Sequence, residues 1–104
     1  MNPWILLIIA GLLEVVWASA LKASNGFTIL GPSLLTGIAA FVSFGLLGLA
    51  MKELPLGTAY GVWVGIGAIG AAIAGIVMFG DAATPLRFAG IALVTAGIIA
   101  LKLA

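Results

Sequence analysis

Apolar residues fill four long runs of this chain, and four of its seven charges fall in the short gaps between them. The first run is about 3–21 and closes at Lys22-Ala23-Ser24-Asn25-Gly26. The second, about 32–51, closes at Lys52-Glu53-Leu54-Pro55-Leu56-Gly57. The third, about 58–79, closes at Gly80-Asp81 and Ala82–Pro85, and the fourth is about 86–101. At 1.5 Å per residue the first three span roughly 30 Å of helix, the thickness of a bilayer's hydrocarbon core. In the fourth, Arg87 must snorkel its stem to the interface. The pattern predicts an all-α membrane protein, with residues 1–104 forming a single domain of four transmembrane helices. The connecting loops are too short to form anything further.

Glu14 breaks the pattern. It sits near the middle of the first run with no Lys or Arg on the same span. A carboxylate in hydrocarbon costs roughly 2.5–3.5 kcal/mol or more, so an intramembrane acid reads first as a functional group. Glu53 and Asp81 fall at helix ends and read as solvated.

Composition agrees with the spans. The 104 residues are 64% hydrophobic and 7% charged, more apolar surface than a soluble domain of this size can hide. With no cysteine and no histidine, disulfides, thiol chemistry, imidazole catalysis and the usual metal ligands are excluded, and no cofactor or enzymatic activity is expected. A net charge of +1 provides no nucleic-acid footprint. The N-terminal stretch has no basic n-region or clear cleavage site, so it reads as a retained span.

Lys22 and Arg87 fall on one side of such a four-span chain, and Lys52 and Lys102 on the other. The positive-inside rule therefore sets no orientation. Either so few charges are uninformative, or the chain inserts both ways and antiparallel pairs form. Four helices barely enclose a polar path, and a second, inverted copy would supply the missing wall around a midplane site.

The remaining embedded side chains with chemistry are few. Gly11, Glu14, Trp17 and Ala18 share a face at three- and four-residue spacing, Ser43 lies mid-span in the second run, and Tyr60 and Trp63 share a face of the third. A carboxylate, a hydroxyl, a phenol and two indoles can box an organic cation through counter-charge and cation–π attraction. The plain alternatives stay open. The aromatics, Trp4 included, also suit an interfacial belt, and Ser43, like Thr36 and Thr95, can bond to its own helix backbone. Gly65 and Gly67 in the third run either allow close helix packing or form a bend. One acid that takes a proton or a cation, and is costly bare, would couple the two flows.

The stretches GLLEVVWASALKASNGFT at 11–28, KELPLGTAYGVWVGIGAIGA at 52–71 and GIIALKLA at 97–104 resemble the small multidrug resistance family over essentially the full length, and the guanidinium exporter subtype most. The Glu-Val-Val-Trp-Ala run carries most of that subtype resemblance, since relatives of the quaternary ammonium type lack a tryptophan at the position of Trp17. The resemblance implies an antiparallel, dual-topology homodimer in the bacterial inner membrane, exporting guanidinium-type cations against protons by alternating access. It implies Glu14 as the shared proton and substrate residue, and Gly11, Trp17, Ser43, Tyr60 and Trp63 as site lining. Ser43 would orient the carboxylate and Tyr60 would lie near the gate. Gly65 and Gly67 correspond to a hinge, and Gly90 and Gly97 to a dimer seam on the fourth helix. The chain differs from the usual pattern at Ser19, Gly61 and Val64, the last two beside the site. The alternative is a broader exporter of quaternary ammonium and other drug cations, and a structural subunit of a larger membrane assembly is a rival that leaves Glu14 unexplained.

Overall fold

A computed structural model describes residues 2–104; Met1, the first residue of the predicted domain, lies outside the described residues. Its four helices are α1 (Pro3–Ala23), α2 (Leu30–Met51), α3 (Leu56–Met78) and α4 (Pro85–Leu103). Each is long and apolar enough to cross a membrane. Their ends depart by up to two residues from the limits of the apolar runs, because a helix stops at a cap and not where hydrocarbon ends. Asn2 caps α1, its Oδ1 accepting from the Trp4 N–H at 2.8 Å, with Pro3 in the first turn where a missing N–H costs nothing. Thr84 and Pro85 repeat the device on α4, with Thr84 Oγ1 accepting from Arg87 N–H at 3.1 Å. At the end of α3, Gly80 takes a left-handed φ of 72° and lets the Asp81 N–H return to the Gly75 carbonyl at 3.0 Å.

The helices form a slab, with Cα extents of 40 × 34 × 17 Å. α1 packs against both α2 and α3, and α2 touches α3 in a smaller contact. α4 lies against α3 alone, apart from Lys102, whose ammonium sits 4.3 Å from the centroid of the Trp4 ring. The tight core occupies one end of the slab, where Leu6, Leu7 and Ala10 meet Leu47 and Ala50 of α2 and Ala59, Val62 and Trp63 of α3. No described residue of α4 is buried. Glycine sets the α3–α4 spacing: a Cβ on Gly65 would lie 2.7 Å from Ile98 Cδ1, so α4 approaches only because the position is bare.

Candidate functional site

Glu14 projects from the middle of α1 toward α3, where its carboxylate fills the space that a Cβ on Gly67 would need. Its Oε1 is buried without a hydrogen-bond partner, and three residues along the same face the Trp17 Nε1 is in the same condition. Buried polar atoms are paired in the great majority of cases, so an orphaned acceptor and an orphaned donor side by side call for a ligand or a moving proton. The one ion pair among the described residues, Arg87 with Asp81 at 3.9 Å, lies at the α3–α4 connection and leaves Glu14 without a counter-charge.

α2 brings Ser43 to the joint between α1 and α3. The hydroxyl is fully buried, donates to the Ala10 carbonyl at 2.7 Å and accepts from Trp63 Nε1–H at 3.0 Å. A hydroxyl has one proton to donate. In this conformation it goes to the α1 turn that precedes Glu14, not to the carboxylate, so the orienting role implied by the resemblance becomes an indirect one. The bond also runs to a neighbouring helix, whereas Thr36 and Thr95 bond within their own helices, to the Pro32 and Ile91 carbonyls, each at 2.8 Å.

Aromatic rings continue from this joint across three helices. Trp63 lies 5.6 Å from Tyr60 and 5.4 Å from Phe44, and Phe44 lies 6.4 Å from Trp17, all by centroids and all tilted by about 50°. Trp63 is buried at 5% exposure while Tyr60 and Phe44 are about half exposed, so the row opens on one side of the slab. Phe44 is absent from the sequence-derived set. Its one sequence signal is adjacency to Ser43; the fold points Phe44 at the two tryptophans.

The glycines separate by role. Gly11 is buried, and a Cβ there would come within 2.5 Å of Ile66, so its space is taken by helix packing and it does not line the open row in this conformation. Gly65 faces α4, Gly67 faces Glu14, and α3 runs unbroken past both. Gly90 and Gly97 have no atom within 4 Å of where a Cβ would stand, so both positions of α4 are uncovered. The Gly67→Ala variant is expected to displace the Glu14 carboxylate, because the intruding methyl meets three of its side-chain atoms. Cation binding should fall at least about fivefold, since overpacking costs roughly 1–3 kcal/mol, with helix content by circular dichroism unchanged.

The family described as Small Multidrug Resistance protein matches residues 2–94 of this chain. The chain is 61% identical over 100 residues to the "Guanidinium exporter" of Escherichia coli (strain K12), covering 96% of this chain and 95% of that protein. It is 58% identical over 100 residues, with the same coverage, to the proteins of that name from Citrobacter freundii and Salmonella typhimurium.

Proposed function

The chain belongs to the Small Multidrug Resistance protein family, and from that membership we propose that it exports guanidinium and small substituted guanidinium cations in exchange for protons. It is a multi-pass protein of the bacterial inner membrane. The observation that carries the exchange reading is the unpartnered Glu14 oxygen, buried in an apolar span beside an aromatic row. A bare carboxylate is costly there, and either of two ligands relieves the cost: a proton, or a cation that donates hydrogen bonds to it. Each displaces the other. If the loaded forms cross the membrane and the bare charged form does not, outward movement of cation is tied to inward movement of protons.

Guanidinium suits the residues. It is planar and weakly hydrated, and its N–H fork matches a carboxylate in the plane. The indoles of Trp17 and Trp63 offer faces and edges to confine that plane. Ser43 holds Trp63 by its N–H and so sets where the ring stands.

The slab supplies one side of the pathway, and an antiparallel second copy supplies the other. The open row of Tyr60, Trp63, Phe44 and Trp17 then faces its counterpart, with two Glu14 groups in one cavity. Gly90 and Gly97 of α4 form the seam between copies, and Gly65 and Gly67 allow α3 to bend as access alternates. The chain has no cysteine, so a Gly97→Cys variant reports cleanly on the seam. Oxidation in the membrane should convert most of it to a covalent dimer, whereas a persistently monomeric band would refute an α4 seam at that position.

The cargo is tested with purified protein in proteoliposomes on a solid-supported membrane. Guanidinium and phenylguanidinium should evoke proton-coupled currents, and tetrapropylammonium should evoke little. A quaternary ammonium has no N–H donors, and a site built around in-plane hydrogen bonds rejects an analogue that leaves its polar groups unpaired. Equal currents from the quaternary ion would instead favour the broader drug-exporter reading.

A further inference from the structure

On the side of α1 away from Glu14, a groove of about 470 Å³ opens between the last turns of α1, the start of α2 and the end of α3. Val16, Ala20 and Ala23 form its α1 wall, facing Leu35 of α2 and Met78 and Phe79 of α3. At 100° per residue, these α1 positions centre roughly 150° around the helix from Glu14, so the groove is separate from the aromatic row. It runs from the level of Val15 to that of Ala23, about 12 Å along the axis, and ends where the α1–α2 loop begins. Ser19 contributes its only hydroxyl; the rest of the lining is apolar.

Apolar walls alone select nothing here, because lipid tails are as apolar as leucine. Selection falls to the rim. The Lys22 ammonium stands 5.6 Å from the centroid of Phe79, a groove residue, and has no carboxylate within ion-pair distance. Asp81, which shares a small adjoining cleft with Lys22, is paired with Arg87 at 3.9 Å. Beside Phe79 the groove rim thus has one cation without an acid partner, Lys22, while the Asp81–Arg87 pair lies in the neighbouring clefts. A cleft at the opposite end of the slab, beside Leu6, Leu46 and Leu49, is bounded by Lys52 and Glu53 and is balanced in charge.

We propose that the groove between α1, α2 and α3 is a binding site for an anionic phospholipid, with one acyl chain along α1 and the phosphate held at Lys22. A basic residue near an anionic lipid headgroup contributes about fivefold in affinity. The neutral groove walls set shape, and the rim sets headgroup charge.

The test is native mass spectrometry of the full-length protein released from nanodiscs of equimolar phosphatidylglycerol and phosphatidylcholine with matched acyl chains. One phosphatidylglycerol per chain should be retained, about fivefold over phosphatidylcholine. Lys22→Gln should equalise the two lipids, and Lys52→Gln should leave the preference intact. Gly31→Leu, at a groove position where a Cβ meets no atom within 4 Å, fills the space and should remove retention of both lipids. Equal retention by the unmodified protein, a preference that survives Lys22→Gln, or retention untouched by Gly31→Leu would each overturn the assignment. So would a Gly31→Leu variant that loses its dimer while keeping its lipid, since a second chain would then be the occupant.

Discussion

Replacing Glu14 with glutamine is expected to leave a chain that inserts and associates normally but no longer moves guanidinium in response to a pH gradient. The amide is nearly isosteric, so the fit against Gly67, where the carboxylate lies, is kept and helix packing is undisturbed. What disappears is the charge. Glutamine neither takes up and releases a proton nor neutralises a cation, so both halves of the exchange fail together. Leaving one member of a desolvated charge pair alone costs about 3–5 kcal/mol, or two to three and a half orders of magnitude in binding. The measurement is current from proteoliposomes under an imposed pH gradient, with a size-exclusion profile as the folding control. Robust pH-driven guanidinium current from the variant would remove Glu14 from the mechanism altogether.

Ser43→Ala should produce the second largest effect, by a different route. The hydroxyl joins the Ala10 carbonyl to the Trp63 indole, and removing it leaves a buried indole N–H unpaired. An orphaned buried donor costs about 1–3 kcal/mol, whereas removing both partners together is close to neutral. Thermal unfolding in detergent should therefore show Ser43→Ala less stable than the unmodified protein, and Ser43→Ala combined with Trp63→Phe restored part of the way. Guanidinium currents should be depressed roughly tenfold or more in both, because neither holds a tryptophan ring at the position that the proposed cation site requires. A double variant as unstable as the sum of the two single changes would show that the bond does not hold the ring, and undiminished currents would show that ring position is irrelevant to cargo.

The spans and the central acid were legible in the sequence for one reason: hydrocarbon is a uniform solvent that penalises every charge, so burial in it leaves a mark on composition. Thr36 and Thr95 were legible too, since a hydroxyl in an apolar helix has its own i−4 carbonyl within reach. The assignments that shifted depend on neighbours from other helices. Ser43 reached across to Ala10 and Gly11 was filled by Ile66, and Phe44, to which the sequence assigned no role, joined the tryptophans. Periodicity along one helix does not encode which of its faces a second helix will cover.

By itself, then, the chain of residues determined that this is a four-span membrane protein with a single acid where hydrocarbon is deepest, because solvent transfer acts on each residue where it stands. Only the packed helices decided that the acid lies against a bare glycine with no partner, that the Ser43 proton belongs to α1, and that four rings from three helices form one row. Those are contacts between segments distant in the chain, and van der Waals fit and the single valence of a hydrogen-bond donor choose among them only once the helices meet.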